Sequence, residues 1–245
     1  MHQFFVEEDQ IGREFVTITG SDVNHIKNVL RMKPGEKIRV SGKDGKDYFC
    51  AVSELADTFV QADILKEDAP STELSGKIYL FQAIPKGDRM ETVIEKAVEL
   101  GVYEIIPVAM KYCVVRLDEK KGAARVNRWQ KIAEAAAKQS KRSRIPNIHP
   151  IMEYKEAVEY AGRCDVRLVP YENERGMQTA KEAFSSVGKG DSVSVMIGPE
   201  GGFSEEEIAM VKDDMQVISL GKRILRTDTA GIAVMAALMF KMEME

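Results

Sequence analysis

The sequence predicts a small β-rich domain over residues 1–70, followed by an α/β domain over residues 74–245 whose parallel sheet is covered by helices on both faces. Three observations lead there. Short strand-like runs separated by turn chemistry fill the first part. A polar, proline-containing segment, Glu67-Asp68-Ala69-Pro70-Ser71-Thr72-Glu73, then interrupts the pattern. Beyond it, strand-like runs alternate with stretches of helical periodicity.

In the first domain, Val23, Ile26, Val29 and Leu30 recur at helical spacing behind Ser21 or Asp22 as an N-cap, so a short amphipathic helix is expected up to Met32. Pro34-Gly35 marks a turn. Lys37-Ile38-Arg39-Val40 alternates charged and apolar residues, the Ser41 to Lys46 stretch carries Lys-Asp-Gly-Lys, and Tyr48 to Val52 resumes a strand: a hairpin. In the second domain, strands are expected at Lys77–Ala83, Tyr103–Val108, Asp165–Pro170, Ser192–Ile197 and Gln216–Leu220. Helices are expected at Asp88–Leu100, Ala123–Gln139, Thr179–Ser186 and Ala230–Met242, with one more opening at Ser204, where a capping hydroxyl precedes Glu205-Glu206-Glu207.

Composition narrows the function classes. With 44% hydrophobic and 30% charged residues, a chain of 245 can fill an ordinary core. No segment offers the roughly 18 consecutive apolar residues of a membrane span. Met1-His2-Gln3-Phe4-Phe5 shows no secretory signal, so the expected location is the cytoplasm. Cys50, Cys113 and Cys164 are odd in number and far apart, and His2, His25 and His149 are scattered, so reduced buried thiols and no metal are expected. The net charge of −4 speaks against a generally basic nucleic-acid binder, but the distribution is uneven. Residues 116–144 hold ten bases against three acids, and residues 21–46 hold seven against three. Either stretch reads as a phosphate-facing patch or as a solvated charged face.

In an open parallel sheet, ligands bind beyond the carboxyl ends of the strands. Three loops qualify: the one after Leu168-Val169-Pro170, the one spanning Ile197-Gly198-Pro199-Glu200-Gly201-Gly202, and the one from Leu220-Gly221 through Ile224-Leu225-Arg226 to Thr229-Ala230. Glycines at 198, 201 and 202 permit close backbone approach to a flat ring, or simply a turn. Neither the dinucleotide fingerprint Gly-x-Gly-x-x-Gly nor a phosphate-binding Gly-x-x-x-x-Gly-Lys-Ser/Thr is present.

The order strand, Gly198-Pro199-Glu200-Gly201-Gly202-Phe203-Ser204, Glu-rich helix, then Leu220-Gly221-x-Arg223-Ile224-Leu225-Arg226-x-Asp228-Thr229-Ala230 resembles the SPOUT methyltransferase superfamily, and within it the RsmE family of 16S ribosomal RNA uridine N3-methyltransferases. Lys86-Gly87-Asp88-Arg89-Met90-Glu91, the run from Glu95 to Gly101, Lys138-Gln139-Ser140-x-Arg142 and His25-x-x-x-Val29-Leu30-Arg31 are similar to that family too, so the likeness covers essentially the whole chain.

The resemblance implies a PUA-like RNA-binding barrel, a trefoil-knotted catalytic domain and S-adenosylmethionine held by the three loops, through Leu168, Val169, Pro170, Ile197, Gly198, Glu200, Gly201, Leu220, Gly221, Ile224, Leu225, Thr229 and Ala230. It also implies a homodimer acting on uridine 1498 (conventional rRNA numbering) of 16S rRNA within the small ribosomal subunit. Uridine N3 must lose a proton before it can accept a methyl group, so a fixed cation near the developing anion is needed. Arg226 is the expected catalytic residue, with a structural ion pair to Asp228 as its alternative role. Glu200 is a cofactor contact, a base or a helix-leading cap. Lys27, Arg31, Lys86, Arg89, Arg142 and Arg223 are the expected RNA contacts, since phosphate contacts set affinity and register.

Overall fold

In a computed structural model, residues 1–42, 46–68 and 72–244 are described. They form two compact units, Met1–Glu73 with Ala137–Ile145, and Leu74–Ala136 with Pro146–Glu245.

The first unit is a curled five-stranded sheet in the order β1-β3-β4-β5-β2. Its strands are β1 (His2–Val6), β2 (Phe15–Thr19), β3 (Lys37–Gly42), β4 (Asp47–Leu55) and β5 (Phe59–Asp68). Alternation drives its closure: Ile38 and Val40 of β3, Cys50 and Val52 of β4, and Val60 and Ala62 of β5 point into one core with Phe4, Val16, Ile18 and Ile26. The expected hairpin is the antiparallel β3–β4 pair, in register Lys37 to Ala51, while its turn at 43–45 lies outside the described residues.

The expected amphipathic helix is modified. α1 (Ser21–Asn24) starts at Gly20, without a side-chain cap, and relaxes into a π-helical turn over His25–Val29. The wider turn moves Val29 off the core face, and it is 62% exposed, while Ile26 stays buried. Arg31, at φ 53°, ends the segment.

Segment 137–145, which a single division at a linker assigns to the second domain, packs into this first unit through a buried polar network. Asp47 accepts from Arg39 Nη2 (2.5 Å), Ser41 Oγ (2.5 Å) and Ser143 Oγ (2.6 Å). Gln3 Nε2 donates to Ser41 Oγ and to the Arg142 carbonyl, both at 2.7 Å. Each partner satisfies a group that burial would otherwise leave unpaired.

The second unit carries a seven-stranded parallel sheet of order β12-β10-β11-β6-β7-β8, with β9 beside β7. Its elements run β6 (Lys77–Ala83), α2 (Arg89–Glu99), β7 (Glu104–Ala109), α3 (Glu119–Ser140), β8 (Asn147–Ile148), β9 (Met152–Glu153), α4 (Tyr154–Ala161), β10 (Val166–Pro170), α5 (Gln178–Ser186), β11 (Ser192–Ile197), α6 (Glu205–Val211), β12 (Gln216–Ile218) and α7 (Thr227–Glu243). Both faces of each central strand are apolar. Phe81, Ala83, Val169 and Met196 meet α4 and α6 on one side. Leu80 and Ile197 approach α7 on the other, at Gly231. Among the described residues, no helix is long and apolar enough to cross a membrane.

Candidate active site

β10 and β11 lie inside the sheet with Leu168, Val169, Val193, Val195, Met196 and Ile197 buried, and β12 flanks β10 at the edge, so ligand chemistry is left to the loops beyond their ends. There the three loops and the first residue of α2 enclose a cavity of about 330 Å³, within the size range of small-molecule sites.

The loop after β11 is held by its own sequence. A Cβ on Gly198 would stand 2.9 Å from the Phe203 ring, so only glycine fits. The Gly202 N–H donates to the Pro199 carbonyl at 2.9 Å with φ +72°, closing a tight turn. Ser204 then caps α6: its Oγ accepts from the Glu207 N–H at 3.3 Å, and Glu207 Oε2 accepts from the Ser204 N–H at 2.8 Å. Glu207 is buried, and its other oxygen accepts from the Lys111 N–H at 2.8 Å. Burial pushes the neighbouring Tyr154 phenol up, so it stays a neutral donor to the Glu207 carbonyl at 2.8 Å. The loop after β12 turns at Gly221, φ +107°, and enters α7 at Thr227.

Pro170, Ile197, Gly198, Glu200, Leu220, Gly221, Ile224, Leu225 and Ala230 line the cavity, together with Arg89, Arg223 and Arg226. Four expected cofactor residues lie outside the lining. Leu168 and Val169 are fully buried strand residues, Gly201 backs onto Tyr112, and Thr229 lies one turn into α7. The lining also holds Tyr171, Glu172, Arg175, Pro199, Gly202, Phe203, Ser219, Lys222 and Thr227, none of which was singled out as a site residue in the sequence. Their signal was positional, since each lies within or beside one of the three strand-end loops.

Glu200 neither caps a helix nor stands free. Its Oε1 accepts from the Lys86 N–H and from Arg89 Nη1, each at 3.0 Å, so it ties the segment before α2 to the glycine-rich loop. Arg226 is exposed and carries no ion pair among the described residues, and the Asp228 carboxylate instead accepts from the Thr229 N–H at 3.0 Å. Around the cavity stand the cations Arg89, Arg175, Lys222, Arg223 and Arg226 against the acids Glu172 and Glu200, five against two, in a protein of net charge −4. A local positive field at the mouth suits a polyanionic substrate.

Of the remaining expected RNA contacts, Lys27, Arg31 and Arg142 belong to the first unit. Arg31 is exposed. Lys27 Nζ is engaged by Asp57 (2.9 Å) and the Ala56 carbonyl (2.8 Å). Arg142, expected to face RNA, is only 4% exposed and paired with Glu73, which makes it part of the packing of segment 137–145. Among the described residues no group of three His, Cys, Asp or Glu could hold a metal ion.

A family profile described as an RNA methyltransferase domain matches residues 72–239, and one described as an RNA methyltransferase PUA domain matches residues 18–65. Ribosomal RNA small subunit methyltransferase E of Bacillus subtilis (strain 168) is 34% identical over 252 residues, spanning 100% of this chain and 98% of the relative. The chain belongs to the ribosomal RNA small subunit methyltransferase E family. A family member from Mesomycoplasma hyopneumoniae (strain 232) is 36% identical over 236 residues, covering 95% of this chain and 96% of its own. The crystal structure of the family's enzyme from Neisseria gonorrhoeae, bound to S-adenosyl methionine, superposes with a TM-score of 0.83 at 33% identity, covering 98% of this chain and 97% of that one. The mixed α/β fold expected from the sequence, a curled sheet before a parallel one flanked by helices, is therefore the family's fold.

Proposed function

We propose that this chain transfers a methyl group from S-adenosylmethionine to N3 of a uridine in 16S ribosomal RNA of the small ribosomal subunit, at the position numbered 1498. The observation that carries the reading is the convergence of three strand-end loops on one cavity whose mouth is rimmed by cations. The cavity fits the cofactor's chemistry: Pro170, Ile197, Leu220 and Leu225 offer apolar surface to an aromatic ring, and the surrounding loop backbone offers donors and acceptors to its edges. S-adenosylmethionine supplies an electrophilic methyl group on a sulfonium centre. The protein's part is alignment and electrostatics. The loops keep water from the reacting centre. Arg226, which cannot lose its charge, would hold the negative charge that spreads to the uracil oxygens when N3 gives up its proton. Arg89, Arg223, Lys86 and Arg31 would contact phosphates and set the register of the RNA, without reading its sequence.

We assign the first unit, 1–70 in sequence and completed by segment 137–145, to RNA binding, and the trefoil knot to the methyltransferase unit. The working form is a cytoplasmic homodimer in which the partner closes the substrate site. The test is methyl transfer to small subunits from a strain lacking the activity, with mass mapping of the modified nucleoside. N3-methyluridine at the stated position is expected. A 2'-O-methyl nucleotide, or modification of transfer RNA instead, assigns the chain a different acceptor. If the folded protein shows no calorimetric binding of S-adenosylmethionine, it is an RNA-binding protein without this activity. Sedimentation equilibrium should return twice the 27.4 kDa chain mass.

A further inference from the structure

Gln82 is an amide side chain with no exposed surface, at the carboxyl end of the central strand β6, where its neighbours are apolar. Burial of such a group is costly unless it is fully hydrogen-bonded, yet Gln82 Oε1 has no partner among the described residues. Its Nε2 has two acceptors: the Ala83 carbonyl at 3.2 Å and Thr227 Oγ1 at 3.0 Å. The Ala83 carbonyl fixes the orientation of the amide, because the reverse rotamer would set two carbonyl oxygens against each other. Thr227, itself buried, therefore receives a hydrogen from Gln82, and its own hydroxyl hydrogen goes to the Gly198 carbonyl at 2.6 Å.

We infer that Gln82 and Thr227 are positioning residues, a one-way hydrogen-bond relay that locks the Gly198 end of the glycine-rich loop to the first turn of α7, and so sets the geometry of the cofactor pocket and of Arg226. Gly198 and Thr227 both line the cavity, and Thr227 directly follows Arg226. The relay crosses three segments distant in sequence. It is narrow as well, since a Cβ on Gly231 would stand 3.1 Å from Gln82 Oε1, so α7 approaches the amide closely only because residue 231 is glycine. The polarity matters: a donor at position 82 leaves the hydroxyl hydrogen to Gly198, whereas an acceptor there would take that hydrogen away. This inference rests on the proposed binding of S-adenosylmethionine, and its test separates the two.

The experiment is calorimetric titration of the purified protein with S-adenosylmethionine from pH 6 to pH 9, alongside thermal melts. Thr227→Ser, which keeps the hydroxyl, should bind within about threefold of the parent, and Thr227→Val, which removes both hydrogen bonds of the hydroxyl, should bind at least about tenfold more weakly. Gln82→Glu supplies the sharper readout. A carboxyl buried at that site has its pKa raised by desolvation, to as high as about 8–9 in documented cases, and while protonated its one O–H can donate to Thr227 Oγ1 in place of the amide. The affinity of Gln82→Glu relative to the parent should be near unity at pH 6 and fall about tenfold by pH 9, a dependence that a packing defect alone would not produce. A parent that binds no S-adenosylmethionine overturns the functional reading and the inference with it. A parent that binds, with Thr227→Val inside twofold of it or a Gln82→Glu ratio flat across the pH range, overturns the relay alone.

Discussion

Arg226 stands at the N-cap of α7 with its guanidinium in solvent and its neighbour Asp228 engaged elsewhere. That leaves its charge available to a substrate. Arg226→Ala should keep S-adenosylmethionine affinity and lower single-turnover methyl transfer by about 10²- to 10³-fold, the usual loss when one donor to a developing anion is removed. Transfer at the parental rate would reassign the role. The three thiols behave oppositely, since each is buried. Burial pushes Cys50 up to about 12 and Cys164 up to about 11, from an ordinary value of 9.0. The folded state thus holds thiol protons more tightly than the unfolded chain, so this stabilisation is complete below about pH 9 and is lost as pH rises towards 11–12. The melting temperature should fall between pH 9 and 11, and at pH 8 a thiol-specific reagent should label the chain only after unfolding. Rapid labelling of the native protein at pH 8 would contradict the burial.

At the scale of elements, sequence signals were strongest where a local rule and burial agreed. Ser204 ahead of three glutamates announced α6, and the reciprocal cap is present with Glu207 buried beneath it. Ser204→Ala should therefore cost about 1 kcal/mol in chemical denaturation, a typical value for a lost N-cap. An unchanged midpoint would mean that Glu207 and its Lys111 contact carry the helix start alone. The helix expected after Ser21 was half right, because spacing shows which residues could share a face but not that a π-helical turn would turn Val29 outward. α4 was not anticipated at all. Its start is marked by a glutamate capping box at Glu153 rather than by the serine or threonine that makes such a start conspicuous.

For the molecule as a whole, the buried network around Asp47 decides which stretches of chain belong together. Removing its carboxylate takes the Asp47 ion pair from Arg39, whose side chain is 11% exposed, and the 2.6 Å acceptor from Ser143 Oγ. Asp47→Ala should destabilise the first unit by about 3–5 kcal/mol, the usual cost of breaking a buried ion pair from one side. It should also open segment 137–145 to limited proteolysis before the parallel sheet unfolds. Cleavage no faster than in the parent would place the anchoring in Gln3 and Glu73 instead.

The chain's local grammar was enough to state that strands alternate with helices after residue 74 and that three loops, the last of them running into Arg226, lie at strand ends where a ligand could bind, because periodicity, capping and glycine placement act over a few neighbouring residues. The tertiary structure alone decided that Arg142 is buried against Glu73, that Glu200 ties the Lys86 to Arg89 segment, and that Gln82 reaches Thr227. Those partners lie 69, 114 and 145 residues apart. A charge or an amide in a sequence declares what it can bind. Only the packed chain determines which partner burial leaves it.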